Sequence, residues 1–370
     1  MVLKYLAVGQ LLKRQKARVE NVMFHLHYRY TFIVFMVSSA LISAKEYFGS
    51  AMECYSPRNS IPQNVLNTYC FFTSTYSVTK HNQTGVSVVY PGVGPHDNED
   101  EIVYNSYYQW VPIVLFLQAL SFYLPRFLWK NFEGGLFTSI LQGLDQKSLN
   151  DGSNTQKYQT LMKYMMNHVN MHKNWTIRFF VCELLCLVVV ISNIYITDWF
   201  LGGTFIAYGS EVFSLQNTDS DLRQDAMDKI FPRVAKCTFR KFGASGNIES
   251  HDSMCVMAVN ILNVKIYIFL WYWMVLLAFV TILWLLYRIC IILFAPLRTY
   301  LLNFRGRLAG RRVVGIVGSN SSLGDWFLLY HLGRCMHPME FASFLKAYAA
   351  EITAACAPPL ESFSKPMKAQ

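Results

Sequence analysis

Apolar residues are concentrated in four long blocks separated by polar stretches, rather than being spread through the chain. The blocks predict spans at 25–47, 107–129, 175–200 and 266–294, of which the last is the longest and most apolar. A helix rises about 1.5 Å per residue, so about 20 residues cross a hydrocarbon core of about 30 Å. The pattern therefore predicts four transmembrane helices.

The stretches outside the spans define the remaining organisation. They are an N-terminal segment (1–24), a first loop (48–106), a middle loop (130–174), a second long loop (201–265) and a C-terminal region (295–370). Tyr107, Tyr108 and Trp110 open the second block and Trp129 closes it, as aromatic residues do at bilayer interfaces. The first block begins too late and is too long for a cleaved secretory signal.

Composition excludes an ordinary soluble protein. Hydrophobic residues make up 53% of the 370 residues and charged residues only 15%. Basic residues cluster before the first span and after the last, which predicts that both termini are cytoplasmic. These clusters are Lys4, Lys13, Arg14, Lys16 and Arg18, and Arg298, Arg305, Arg307, Arg311 and Arg312. Topology thus accounts for the net charge of +10 without nucleic-acid binding.

Four of the nine cysteines fall in the two loops that this topology places outside the cell. Cys54 and Cys70 lie in the first loop, and Cys237 and Cys255 lie in the second. An even number of cysteines on the oxidising side predicts two disulfides, and spacing alone leaves three connectivities. The sequon at Asn82 in the first outer loop is a candidate glycosylation site.

Several motifs together resemble the innexin family. The sequence Tyr107-Tyr108-Gln109-Trp110-Val111-Pro112 is similar to the innexin signature at the start of the second span. Other similar segments follow in the expected order: Phe127–Lys130, Phe231–Cys237, Asn260–Asn263 and Gly324–Phe327. The resemblance covers about residues 10 to 345. It departs at Val264-Lys265, where innexins usually carry Glu-Lys, so a salt bridge of that acid is not expected here.

This resemblance implies an all-α membrane protein. A bundle of four transmembrane helices would carry a small disulfide-linked extracellular α/β domain and a helical cytoplasmic domain, and six to eight subunits, identical or mixed, would form a ring. The implied disulfides pair Cys54 with Cys255 and Cys70 with Cys237. Such rings form hemichannels in the plasma membrane, and they form gap junctions where two rings dock between cells. The pore would pass ions and small solutes.

The first span contains the most hydrophilic helical stripe. Spacings of three and four residues place five pore-lining candidates on one face: Thr31, Phe35, Ser39, Ser43 and Glu46. The alternative is that the serines are small packing residues between helices. At the outer end, Lys45 and Glu46 would form rings of opposite charge, which predicts weak charge selectivity.

Three further features suggest gating or structural roles. The segment before the first span is predicted to be an amphipathic pore funnel, with a membrane-surface anchor as the alternative. Pro125 interrupts the second span and is a hinge candidate, although a static kink satisfies the same pattern. Glu183 lies inside the third span and needs a partner, for which Arg126 and Arg178 have suitable depth.

Two other functional classes fit the sequence less well. His168 and His172 are four residues apart, as in membrane di-iron oxidases, but the nine histidines do not gather into the clusters that such a metal centre needs. We therefore expect neither an enzyme nor a cofactor or metal. A tetraspan adhesion or scaffold protein without a pore is the other alternative. The long second outer loop with its own cysteine pair and the sizeable middle loop favour the innexin-like interpretation.

Overall fold

A computed structural model describes most of the chain, namely residues 19–56, 61–81, 90–95, 97, 99–141, 153–215 and 230–356. It divides into two compact units, which we describe separately. The sheet unit comprises His25–Leu124 and Cys186–Ile282, and the helical unit comprises Met1–Phe24, Pro125–Leu185 and Leu283–Gln370. The sequon at Asn82 and the segment before Val19 lie outside the described residues.

The described residues form helices and five strands. The helices are α1 (Val22–Phe48), α2 (Gln63–Thr73), α3 (Val111–Glu133), α4 (Leu136–Leu141), α5 (Ser153–Asn167), α6 (Lys173–Phe200), α7 (Phe205–Leu215), α8 (Ala258–Leu293), α9 (Ala295–Arg305), α10 (Arg311–Asn320), α11 (Leu323–Cys335) and α12 (Pro338–Cys356). The strands are β1 (Glu53–Tyr55), β2 (Thr75–Val78), β3 (Ile102–Asn105), β4 (Val234–Phe242) and β5 (Ile248–Val256).

Four helices, α1, α3, α6 and α8, are long and apolar enough to cross a membrane, which confirms the predicted fold class. Their bounds differ from the sequence prediction most in α3, which ends at Glu133, and at the start of α8. Helix α3 begins at Val111, because Tyr107–Gln109 forms a separate 3₁₀ turn before it. Helix α8 begins at Ala258 rather than near Ile266. Helix α1 contains a π-helical stretch, Leu26–Thr31, within which the Thr31 hydroxyl donates to the Leu26 carbonyl at 3.0 Å.

The sheet unit contains one antiparallel sheet in the order β1-β5-β4-β2-β3. Strands β4 and β5 form a long hairpin whose turn includes Gly246 at φ +81°, a left-handed conformation that favours glycine. Cys54 of edge strand β1 bonds Cys255 of β5, and Cys70 of α2 bonds Cys237 of β4. This is the pairing that the family resemblance implies. The two bonds fasten the edge strand and α2 to the central hairpin.

The helical unit is centred on α11. Trp326, Phe327, Leu328 and Leu329 are buried in succession, so this helix is surrounded by other chain segments. The Trp326 indole donates to the Arg298 carbonyl of α9 at 2.7 Å. Helices α9 to α12 thereby form the helical C-terminal region that the sequence predicts.

Candidate functional site

The hydrophilic stripe of α1 faces the interior of the sheet unit. Thr31, Phe35 and Ser39 are all buried. The Ser39 hydroxyl donates to the Pro112 carbonyl at 2.8 Å, and the Trp273 indole donates to Thr31 Oγ1 at 3.0 Å. Phe35 packs on Phe122 with ring centroids 5.2 Å apart. Within the single chain, the polar groups and ring of these three residues are thus used in packing against α3 and α8. These contacts favour the packing alternative, and the assignment of the three residues to a pore lining stays a prediction.

The other two candidates, Ser43 and Glu46, are partly exposed near the end of α1. Glu46 Oε1 is itself buried and has no hydrogen-bond partner within the part of the chain that the structure describes. Lys45 is also partly exposed. The face that α1 leaves open is marked by Val37, Leu41 and Phe48 and is apolar.

The Tyr107–Trp110 motif joins three parts of the sheet unit. The Tyr108 hydroxyl donates to the Phe71 carbonyl at 3.2 Å, and the Gln109 amide donates to the same carbonyl. Tyr107 accepts a hydrogen bond from the Asn260 amide of α8 at 3.2 Å. Burial raises the pKa of both tyrosines, that of Tyr108 to about 12, so the phenols stay neutral. Trp110 is exposed.

The motif thus fixes the start of α3 to Phe71, which follows the disulfide-bonded Cys70, and to the start of α8. The fourth-span segment Asn260–Asn263 takes part, since the Asn260 amide also donates to the Pro232 carbonyl at 2.9 Å. Phe231 packs against Tyr107 at 5.7 Å. Val264, which stands in place of the family's usual acid, is buried. The resembling segments Phe231–Cys237 and Asn260–Asn263 therefore make structural contacts within the sheet unit.

The tip of the β4–β5 hairpin exposes two apolar side chains on adjacent strands. Phe242 is 78% exposed and Ile248 is 69% exposed, and the two residues are direct partners in the register. The Lys241 ammonium lies 3.4 Å from the Glu249 carboxylate beside them. Large exposed apolar groups at a rigid tip are typical of contact surfaces.

A buried ion pair lies in the helical unit. The Arg288 guanidinium donates two hydrogen bonds to the Glu183 carboxylate, at 2.8 and 3.0 Å. The Trp284 indole donates to the same carboxylate at 3.0 Å. The guanidinium also lies 5.3 to 5.8 Å from the centroids of four aromatic rings, those of Phe179, Phe180, Trp284 and Phe327. Glu183 is thus paired, but with Arg288 and not with the expected Arg126 or Arg178.

The same cluster holds the chain that enters α1. The Asn21 amide donates to the Glu183 carboxylate, and the Glu20 carboxylate lies 3.4 Å from the Arg126 guanidinium. Arg334 of α11 donates to the Glu20 carbonyl at 3.3 Å. Phe24 stacks on Phe179 with centroids 5.7 Å apart. The last residues of the N-terminal segment are therefore anchored to α3, α6 and α11.

A second buried cluster joins the middle loop to α11. His172 Nδ1 lies 2.7 Å from the Asp325 carboxylate, which also accepts the Asn170 N–H at 2.9 Å and the Ser322 hydroxyl at 2.8 Å. Burial tends to raise the pKa of Asp325, but these hydrogen bonds outweigh it and lower the pKa. A Cβ at Gly324 would lie 2.5 Å from the His172 backbone carbon, so glycine permits this close approach. His172 is thus a structural residue. Its other ring nitrogen, Nε2, lies 3.0 Å from the hydroxyl of Tyr164, and the Tyr164 ring stacks on His168.

His331 of α11 is a titratable group buried in the helical unit. Its ring is buried against Phe327, with centroids 4.5 Å apart, and neither ring nitrogen has a hydrogen-bond partner among the described residues. Burial, followed by the charges of Arg288, Arg334 and Arg305, lowers the pKa of His331 well below its usual value. The folded state therefore holds this ring neutral.

We expect the free energy of unfolding of the helical unit to fall as the pH drops below about 6.5, because the unfolded chain then takes up a proton that the folded His331 does not. The slope from this residue is at most about 1.4 kcal/mol per pH unit. Thermal unfolding of the purified protein between pH 7.5 and 5.5 would measure it. His331→Phe should flatten the pH dependence, whereas His337→Gln at an exposed position should not. An unchanged slope in His331→Phe would contradict this assignment.

Pro125 is buried inside α3, and the helix continues through it to Glu133. The helical unit begins at this residue within α3. The position is compatible with either a hinge or a static kink, so the hinge stays a prediction.

The sequence comparisons agree with the motif. The family profile described as Innexin matches residues 20–352. The chain is 40% identical to innexin inx2 of Drosophila melanogaster over 350 residues, which cover 94% of this chain and 95% of that protein. It is 40% identical to innexin shaking-B of the same species over 342 residues, 92% of each chain. Against innexin inx2 of Schistocerca americana the identity is 37% over 349 residues, 94% of this chain and 97% of that protein.

Proposed function

Because the chain belongs to the innexin family, we propose that it is one subunit of a gap-junction channel or hemichannel whose wide pore passes ions and small solutes with weak selectivity. Members of this family form oligomeric gap-junction channels and are channel proteins rather than enzymes. The observation that carries the proposal is the family match over residues 20–352, which includes all four membrane-spanning helices.

In this proposal, six to eight identical or related subunits form a ring in the plasma membrane with both termini in the cytoplasm. The basic clusters outside the first and last spans support that orientation. The five-stranded sheet and α2 are then extracellular, and the C-terminal helices are cytoplasmic. The disulfides support this placement, because they form on the oxidising side of the membrane.

We assign the pore to the open face of α1 together with Ser43 and Glu46. The partly exposed Lys45 and Glu46 would repeat around the ring with opposite signs, which supports weak charge selectivity. The N-terminal segment would form the cytoplasmic funnel. The anchoring of Glu20 and Asn21 supports this role, since it fixes the base from which the segment extends.

Docking between two rings would use the hairpin tip at Phe242 and Ile248. A rigid, disulfide-braced loop loses less conformational entropy on docking than a mobile one. The two side chains also offer apolar area that the single chain leaves uncovered. A glycan at Asn82 would obstruct docking and would therefore favour single-membrane hemichannels.

The experiment compares currents and dye transfer between paired cells with currents across a single membrane. The double variant Phe242→Asp/Ile248→Asp should lower junctional conductance at least about tenfold, because charge at a central contact disfavours burial. Single-membrane currents should be retained. The control Phe242→Tyr/Ile248→Val keeps the apolar contact and should conduct in both arrangements. If the double variant keeps both currents, docking does not use this tip. If the wild-type protein gives no current in either arrangement, the proposed channel function is overturned.

A further inference from the structure

Helix α9 presents an aromatic face that nothing in the described chain covers. Tyr300 and Phe304 are each 68% exposed and lie four residues apart, so they share one side of the helix. Leu293 and Phe294, immediately before the helix, are also exposed. A soluble helix rarely places such large apolar side chains in water in one stripe.

The opposite side of α9 is fully used in packing. Leu302 is buried, and the Arg298 carbonyl accepts the Trp326 indole. A Cβ at Gly318 would meet Thr299 Oγ1 at 2.7 Å, and one at Gly306 would meet Leu345 Cδ1 at 2.6 Å. Helix α9 is thus held by α10 to α12 in a fixed orientation, and its aromatic stripe points away from the helical unit.

The position of α9 in the chain identifies the surface that this stripe meets. The membrane-spanning helix α8 ends at Leu293, and Phe294 has extended backbone angles, φ −104° and ψ 101°, before α9 begins at Ala295. The helical direction is therefore broken one residue after the span. With 11 residues, α9 is about 16 Å long, so its whole length stays close to the bilayer surface if it lies along it. Tyrosine and phenylalanine at this depth are typical of interfacial helices.

Exposed basic residues follow the aromatic stripe in the chain. Arg307, Arg311 and Arg312 follow α9 and are exposed, and within the described part of the chain no carboxylate forms an ion pair with them. Basic residues beside an amphipathic helix are attracted to anionic phospholipid headgroups. We propose that α9 and these three arginines form a membrane-surface site for anionic phospholipid, with Tyr300 and Phe304 inserted at the acyl boundary. This proposal rests on the proposed function in one respect, namely that α9 lies on the cytoplasmic side of the membrane.

Photo-crosslinking distinguishes lipid from a neighbouring subunit. Full-length protein would carry benzoylphenylalanine at position 300 or 304, and at the exposed Ser319 of α10 as the matched control. It would be irradiated in nanodiscs of phosphatidylcholine and phosphatidylserine, and the peptides would be analysed by mass spectrometry. We expect about tenfold more phospholipid adduct at 300 and 304 than at 319. Crosslinks to a second copy of the chain in place of lipid, or equal adduct at all three positions, would overturn the proposal.

The headgroup preference is tested in the same preparation. Wild-type protein should give phosphatidylserine adducts in excess of the share of that lipid in the disc, and Arg307→Gln/Arg311→Gln/Arg312→Gln should remove the excess. The exposed Lys346→Gln serves as the control substitution. An adduct ratio equal to the disc composition in the wild type would refute the anionic preference. Channel currents from the same protein separate the two proposals, because active channels without lipid adducts overturn only this one.

Discussion

Removing the Cys70–Cys237 disulfide by the double substitution Cys70→Ser/Cys237→Ser should reduce junctional conductance to background. The bond closes a separation of 167 residues and fastens α2 to the central hairpin of the sheet. Loss of a native disulfide in a small extracellular domain costs about 2–5 kcal/mol, and spans that already restrain the loop ends make this an upper bound. The double substitution leaves no unpaired thiol that could exchange with Cys54 or Cys255.

The damage should extend beyond the loop itself. Cys70 is next to Phe71, whose carbonyl accepts hydrogen bonds from Tyr108 and Gln109. Loosening α2 should therefore also release the start of α3. Surface labelling, paired-cell conductance and thermal unfolding of the purified protein would measure the effect. Cys290→Ser is the matched control, since this thiol is unbonded and exposed. Normal conductance and unchanged unfolding in the double variant would show that the bond is dispensable.

Glu183→Ala should destabilise the helical unit more than any surface substitution. It leaves the Arg288 guanidinium buried without its carboxylate and also removes the acceptor of Trp284 and Asn21. Breaking a buried ion pair by removing one partner costs about 3–5 kcal/mol. Thermal unfolding should show a clear drop in midpoint, and the anchor at the base of the N-terminal segment should loosen. Glu351→Ala, at an exposed position of α12, should have little effect.

A second variant separates charge from packing. Glu183→Gln/Arg288→Met replaces the pair with side chains of similar size that carry no charge, and much of the stability should return. If voltage gating stays altered while stability returns, the pair has a role in the position of the N-terminal segment besides its role in the fold. A double variant as unstable as Glu183→Ala would contradict the assignment of the loss to an unpaired charge.

The features that the sequence predicts well are those set by the membrane. The four spans, the two outer cysteine pairs and the helical C-terminal region depend on the length and composition of segments, which a linear sequence displays directly. The early start of α8 was missed because Asn260 and Asn263 are polar, although both are buried and hydrogen-bonded there. Polarity in a sequence does not reveal whether a partner is protein or water.

The same ambiguity applies to the polar residues of α1. Periodicity placed Thr31, Phe35 and Ser39 correctly on one face, but a hydroxyl that bonds a neighbouring carbonyl looks the same in sequence as one that faces a pore. The sequence also does not identify the partner of Glu183. Arg126 and Arg178 have suitable depth in the sequence, but the structure pairs Glu183 with Arg288, whose guanidinium lies among four aromatic rings.

The π-helical stretch of α1 changes how positions along that helix relate to each other. Each residue of an α-helix turns the chain by about 100°, and a π turn contains one residue more than an α turn. Side chains on opposite sides of Leu26–Thr31 are therefore displaced by about one position relative to an ideal helical wheel. A relative that lacks one residue here could restore an ordinary α-helix and keep both ends of the helix in place, so this stretch is where a change in length of the first span would be absorbed.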